Sequence, residues 1–200
     1  MVIMFAISLV IFTLPLIIYL CSTKNDPKCE TLIFLGSGGH TSEMIRLFED
    51  LDLHKYARLG VMTSFEDTLS RKKAEKRFKR IDRVSIKLPR ARRVGQSWLT
   101  TIFSSVFCLV IATKKLFHAN PKMVVTNGPG TTVLIYLAVR ILNSFLCRNT
   151  KFVFVESICR VKTLSLTGKI LYFCGCDKFY VQWRELKAKY RNALYLGRIY

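Results

Sequence analysis

The sequence predicts an α/β domain built on a parallel sheet and carried behind a membrane-spanning N-terminus. Three observations predict it. Short apolar runs are each followed by a glycine-rich or polar loop and then a helical pattern; no charged side chain precedes Lys24; and 200 residues leave room for one domain after such a tether. Hydrophobic residues make up 50% of the chain, enough buried surface to offset ordering entropy, which excludes a disordered basic tail. Lys and Arg number 32 against 13 Asp and Glu, a formal net charge of +19 that falls wholly on residues 24–200. The folded part therefore faces something anionic.

Val2 to Leu20 is a 19-residue run interrupted only by Ser8, Thr13 and Pro15. At about 1.5 Å per residue it reaches roughly 28 Å, about one hydrocarbon core. No Lys or Arg precedes it, and Leu20-Cys21-Ser22 is a weak cleavage match, so it reads as a retained anchor rather than a signal peptide. Positive charge follows at Lys24 and Lys28, which places the remainder in the cytosol. Seven irregularly spaced cysteines fit a reducing compartment. The organisation expected is an anchor over 1–23 and one cytosolic domain over 24–200.

Within the domain, Thr31 to Leu35 reads as a buried strand, residues 36–40 as a tight loop, and a helix starts near Thr41. Met44, Phe48 and Leu51 share one face of that helix, with Glu43, Arg46, Glu49 and Asp50 elsewhere. The order recurs with Leu59 to Met62 before a charged helix near Glu66 to Arg80, and with Lys122 to Thr126 before a helix from Gly130. Lys151 to Val155 adds a strand and Phe179 to Gln182 closes the sheet. Unbroken apolar strands alternating with helices argue for a parallel sheet covered on both faces, a Rossmann-like half. Ligands of such sheets bind beyond the carboxyl ends of the strands, so the loops starting at Gly36, Asn127 and Glu156 become the candidate site.

Two segments bear on surfaces. Residues 71–93 hold twelve Lys or Arg against Glu75 and Asp82, read either as a solvated helix face or as a contact with an anionic surface. From Trp98 to Ala112, small or weakly polar residues recur at near-helical spacing while bulky apolar ones cover the remaining surface. Fifteen residues rise only about 22 Å, short of a comfortable span. The segment is either a helix lying on an anionic leaflet or a core helix of the domain, and both readings can hold for different faces.

The loops carry the candidate chemistry. Gly36, Ser37, Gly38, Gly39, His40 and Thr41 lie between a strand and a helix N-terminus, where free backbone N–H groups favour phosphate or diphosphate. The spacing is not G-x-G-x-x-G, which argues against NAD. His40, at the mouth, is a candidate base, oxyanion partner or cap. Asn127, Gly128, Pro129, Gly130 and Thr131 repeat the logic after a second strand, offering a phosphate or sugar contact. Glu156 ends the most hydrophobic strand near Arg160 and Lys162, where an ion pair, a sugar-hydroxyl contact and an acid/base role stay open. Cys174 and Cys176 lack a second Cys/His pair at zinc spacing, so no metal is expected. Thr167-Gly168-Lys169 is not a P-loop, and the basic run carries no recognisable DNA or RNA module, so no nucleic-acid partner is expected.

The anchor, LGSGGHTSEM (35–44), LPRARRVGQSW (88–98), TNGPGTT (126–132), FVESICRVKTLSLTGKILY (154–172) and the terminal YLGRIY (195–200), in this order, closely resemble the asparagine-linked glycosylation protein 14 family. The resemblance runs from the anchor to the last residue. It implies a single-pass subunit at the endoplasmic reticulum and its continuous nuclear membrane, with its C-terminal domain facing the cytosol. Its fold would be the acceptor-side N-terminal half of a GT-B glycosyltransferase, resembling that half of the bacterial enzyme that glycosylates undecaprenyl-linked muramyl-pentapeptide. A separate soluble subunit, of asparagine-linked glycosylation protein 13 type, would hold the donor UDP-GlcNAc, and this chain would bind no cofactor and be inactive alone. The reaction implied adds the second GlcNAc, in β1,4 linkage, to GlcNAc-diphosphodolichol. Matching positions assign catalysis to His40, with Glu156 second. They assign acceptor diphosphate contacts to Gly36 through Gly39, Thr41, Asn127 through Thr131, Arg90 and Arg93. Partner docking falls to Leu196, Gly197, Arg198, Ile199 and Tyr200. The alternative is a scaffold that recruits the catalytic partner without touching substrate.

Overall fold

The computed structural model describes residues 28–49, 58–78, 83–92 and 95–198. The expected anchor over 1–23, together with Arg93, Ile199 and Tyr200, lies outside them. The elements run β1 Thr31–Leu35, α1 Gly39–Leu47, β2 Leu59–Ser64, α2 Thr68–Arg77, β3 Arg83–Leu88, α3 Trp98–Ala119 and β4 Met123–Thr126. They continue with α4 Thr131–Phe145, β5 Lys151–Val155, α5 Leu166–Phe173, β6 Lys178–Val181, α6 Arg184–Lys189 and β7 Leu194–Tyr195. All seven strands are parallel, in the order β3-β2-β1-β4-β5-β6-β7. From β1, mid-sheet, the chain works outward through β2 and β3 and returns through α3 to β4, so the order reverses between β1 and β4. Thr31 stands beside both Leu59 and Met123.

The period-2 alternation of β1 divides the core in two. Leu32 and Phe34 join Val124, Phe152 and Phe154 under α3, α4 and α5, while Ile33 and Leu35 join Met44, Phe48, Ala74 and Phe78 under α1 and α2. Gly60, in β2, stands where Cys29 and Leu32 press on the strand: a Cβ there would meet Cys29 Sγ and Leu32 Cδ1, each at 2.7 Å. Both neighbours are fully buried. Gly60→Ala should therefore lower stability by about 1–3 kcal/mol, read as a shifted denaturant midpoint at unchanged m-value.

Three elements differ from the sequence reading. The Phe179 to Gln182 strand does not close the sheet, because β7 pairs beyond it, with Tyr180 beside Leu194 and Val181 beside Tyr195. β3 emerges from the basic run, where Ile86 and Leu88 are buried and Ser85 and Lys87 exposed, the alternation of an edge strand. α3 continues past Ala112 to Ala119 and ends at Asn120, whose φ of 44° closes it in the left-handed region. Its 22 residues make about 33 Å, long and apolar enough to cross a membrane by length and composition. Core and surface readings each hold for one face. Cys108, Ala112, Leu116 and Ala119 are at most 2% exposed, whereas Leu99, Phe103 and Val110 are mostly exposed.

Candidate functional site

The loops that follow β1, β4 and β5 meet at the reversal of strand order. Gly36 lets them touch: a Cβ on it would lie 2.7 Å from Pro129 Cδ and 3.0 Å from His40 Cβ. Gly38, at φ 66°, turns the chain into α1. Thr41, fully buried, donates its hydroxyl to the Gly36 carbonyl and shares a hydrogen bond with Ser70. Ser70 is held in turn by Asp67, at 2.7 Å through its hydroxyl and 2.9 Å through its N–H. Thr41 thus braces the glycine loop from behind, turned inward. Across the crevice, Asn127 Nδ2 donates to the His40 carbonyl at 2.8 Å, fixing the first turn of α1 against the β4 loop.

Helix starts differ across the fold, and α6, like the two helices at the crevice, has no side-chain cap. α2, α3 and α5 are each capped by a side chain, from Asp67, Ser97 and Ser165 respectively. α1 and α4, which flank the reversal point, begin after Gly38 and Gly130 with no side-chain cap. The first-turn N–H groups and positive dipole end of α1 are open to an anionic ligand, whereas in α4 the Thr132 and Val133 N–H groups already bond the Pro129 and Gly130 carbonyls at 2.8 and 3.1 Å. Thr131, at the start of α4, receives the Ala91 N–H at 3.4 Å and joins the strap after β3 to the crevice.

Between the loops lies a cleft of about 300 Å³ lined by Gly39, His40, Glu43, Asn127, Glu156 and Arg160, among others. His40 is half-buried at its mouth, and its Nδ1 is buried without a hydrogen-bond partner. Glu43, which the sequence reading placed off the apolar face, is only 6% exposed. It accepts from the Ser157 hydroxyl at 2.7 Å and from Asn127 Nδ2 at 3.4 Å, tying α1 to both neighbouring loops. Its place three residues after His40 puts both on one helix face, and that spacing was the available signal.

Glu156 is 1% exposed and fully engaged. Its Oε1 accepts from the Ser157 N–H at 3.1 Å, and its Oε2 accepts from the Ser165 N–H at 2.9 Å and the Ser165 hydroxyl at 3.1 Å. Burial pushes its carboxyl above the ordinary carboxylate range, opposed by the Ser165 and Ser157 hydrogen bonds and by Arg160. The open choice between ion pair, sugar contact and acid/base group acquires a geometric bias: this carboxylate joins β5 to the N-terminus of α5.

The other candidates lie apart. Arg90 pairs with Glu66 at 3.6 Å in a second cleft, beside α3. Leu196 is 84% exposed past the edge strand β7, Gly197 takes φ 105°, and Arg198 stacks over the Trp183 ring at 4.9 Å. Cys176 is half-buried, its thiol pushed up to about 12 by burial and by Asp177, which leaves it protonated and poorly suited to redox work at neutral pH.

A parallel sheet reversing at a glycine-lined crevice, with two uncapped helix starts facing it, defines a Rossmann-like half of the GT-B type. The fold matches a crystal structure of Acinetobacter baumannii MurG with a TM-score of 0.54 at 15% identity, covering 78% of this chain and 41% of MurG. In sequence, residues 31–199 match the family described as "Oligosaccharide biosynthesis protein Alg14 like". The Schizosaccharomyces pombe UDP-N-acetylglucosamine transferase subunit alg14 is 42% identical over 183 residues, 88% of this chain and 86% of its own length. The human subunit ALG14 is 37% identical over 177 residues, 84% of this chain and 82% of its own. The chain belongs to the Alg14 family, and its role is that of a UDP-N-acetylglucosamine transferase subunit.

Proposed function

We propose that this chain is the acceptor-side subunit of a two-part transferase that adds GlcNAc in β1,4 linkage to GlcNAc-diphosphodolichol. It works at the cytosolic face of the endoplasmic reticulum, tethered by residues 1–23. A soluble subunit holds UDP-GlcNAc. The observation that carries this reading is one of length. The chain spans 86% of its fission-yeast relative but 41% of MurG, so family members of this size carry one Rossmann-like half where MurG has nearly twice the chain. This supports a donor-binding half supplied by a separate subunit.

In this reading the acceptor sugar enters the cleft at His40, with its diphosphate toward the uncapped start of α1. His40 takes the proton of the acceptor O4 as that oxygen forms its bond to C1 of the donor sugar, and UDP departs with the electron pair of the bond it loses. Inversion follows from attack opposite the leaving group. Glu43 and Asn127 hold the first turn of α1 in place while this occurs.

Docking of the soluble subunit falls to residues 196–200. An apolar groove of about 310 Å³ supports this: Leu196 lines it together with Leu47, Val125, Val153, Val155 and Tyr180 on the sheet face beyond α1. Deleting residues 196–200 should release the soluble subunit on co-purification while β7 and the fold persist. Retention at wild-type level would move the interface elsewhere.

The deciding assay is transfer of labelled GlcNAc from UDP-GlcNAc to a short-chain GlcNAc-diphospholipid by this chain, by the soluble subunit, and by both. Transfer only with both is the expected outcome. Transfer by this chain alone would reveal a donor site within it and overturn the split.

A further inference from the structure

The turn after β5 is tied down from both sides and presents an unengaged cation to the cleft. Within it the Arg160 N–H bonds the Ser157 carbonyl at 3.0 Å, and the Cys159 N–H bonds the Ser157 hydroxyl at 3.3 Å. α1 holds the turn through Glu43, which accepts from that same hydroxyl at 2.7 Å. The end of β6, on the other side of β5, holds it too. Gln182 Nε2 donates to the Glu156 carbonyl at 2.9 Å, and the Trp183 indole N–H donates to the Ile158 carbonyl at 2.7 Å. Gln182 is buried and Trp183 half-buried, with the Arg198 guanidinium 4.9 Å from the indole ring. A turn held this way loses little further freedom when a ligand arrives, so a charged group on it is placed before binding.

Arg160 is the group so placed. It lines the cleft, its side chain is exposed, and among the described residues its guanidinium makes no salt bridge and no hydrogen bond. The two carboxylates of the cleft are spent: Glu43 and Glu156 are 6% and 1% exposed, and their oxygens accept from Ser157, Asn127 and Ser165. Burial raises the Glu156 carboxyl, and the Arg160 charge is near enough to oppose that rise. Across the cleft stands the uncapped start of α1. Asn127 gives an independent sign of a ligand. Its amide nitrogen is committed to the His40 carbonyl and to Glu43, both acceptors, so the amide is fixed in orientation, and its Oδ1 is buried without a partner. That oxygen calls for a donor, such as a sugar hydroxyl or an amide N–H, which an ionised phosphate does not offer. Arg160 and the start of α1 call for an anion. A sugar joined to phosphate answers both.

We infer that Arg160 is a binding residue for the diphosphate of the acceptor, gripping it from the side of the cleft opposite the start of α1, and that Trp183 is a positioning residue acting through Arg160. The inference rests on the transferase reading for the identity of the ligand. Trp183 does not line the cleft. Its indole N–H instead fixes the Ile158 carbonyl, two residues before Arg160, and so sets the direction in which the guanidinium leaves the turn. The guanidinium meets phosphate oxygens with two parallel N–H groups, a geometry that lysine does not reproduce.

The test uses the full chain in nanodiscs and a short-chain GlcNAc-diphospholipid, first without UDP-GlcNAc and then with the donor and the soluble subunit. By calorimetry, Arg160→Ala should bind this acceptor about tenfold more weakly than the parent, and Arg160→Lys should fall between them. Equal binding by the parent and Arg160→Ala, or no binding by the parent, overturns the phosphate contact. In the transfer assay Arg160→Ala should raise the acceptor KM about tenfold and leave the KM for UDP-GlcNAc unchanged. A rise confined to UDP-GlcNAc overturns the inference by giving Arg160 to the donor. Trp183→Phe keeps an aromatic ring under Arg198 and removes the indole N–H. It should weaken acceptor binding several-fold in the parent and not at all in an Arg160→Ala background. The same loss in both backgrounds would make Trp183 a purely structural residue and overturn its positioning role. Calorimetry needs no sugar transfer, so acceptor binding that depends on Arg160 in a protein that transfers nothing separates failure of the proposed reaction from failure of this inference.

Discussion

His40→Ala should lower kcat for GlcNAc transfer by roughly a hundredfold to ten-thousandfold, the usual worth of a positioned general base, with little change in the acceptor KM. Physical reasons make this variant a clean test. The contact that positions the first turn of α1 runs from Asn127 to the His40 main-chain carbonyl, which alanine retains. Gly36 packs against the His40 Cβ, which alanine also retains. The loss is then confined to the ring, whose buried Nδ1 has no protein partner to leave stranded. Co-purification of the soluble subunit should be unchanged, since His40 lines the crevice cleft and not the apolar groove that Leu196 and Gly197 line. Wild-type turnover in this variant would remove His40 from the chemistry. If turnover also survived loss of the loop glycines, recruitment would remain as the role of the chain.

Much of this architecture was legible from the chain because the central strands are buried on both faces. Thr31 to Leu35 and Lys151 to Val155 read as unbroken apolar runs, and their loops announce themselves with glycine or an abrupt change of polarity. β3 was not legible as a strand. At an edge it shows water one side, so its Val84, Ile86 and Leu88 are interleaved with Ser85 and Lys87 and vanish into the surrounding charge. The crevice loops were found by glycine content, but which side chains face the cleft was not. Thr41 reads as a helix-start hydroxyl and turns out to brace the loop from within. Glu43 reads as a surface carboxylate because its partners, Asn127 and Ser157, come from loops 84 and 114 residues away in sequence. Contacts of that range leave no local trace in composition or period.

Gly168→Ala should destabilise the protein, and it should do so only while Glu156 is present. A Cβ on Gly168 would stand 2.1 Å from Glu156 Oε2 and 3.2 Å from its Cδ, so the carboxylate must move off the Ser165 N–H it accepts from. Overpacking of this kind costs about 1–3 kcal/mol, which outweighs the roughly 1 kcal/mol that alanine gains over glycine in a helix. Glu156→Gln, with no Cβ added, should also cost about 1–3 kcal/mol. Each carboxylate oxygen accepts from a backbone N–H, so whichever position the amide NH2 takes sets donor against donor. The pH dependence has a definite sign. Burial raises the Glu156 carboxyl in the folded state, so between the unfolded value, about 4.3, and the folded one the native protein binds more protons than the unfolded chain. Stability contributed by this group is greatest below that window and falls as pH rises through it, and the gap between wild type and Glu156→Gln should narrow in the same direction. The decisive measurement is a double-mutant cycle on the full chain. In a Glu156→Ala background the obstruction is gone, so Gly168→Ala should lose most of its cost and approach the small gain expected of alanine in a helix. An undiminished cost there would mean that Gly168 is held by something other than this carboxylate, and Glu156 would lose its place as the clamp between β5 and α5.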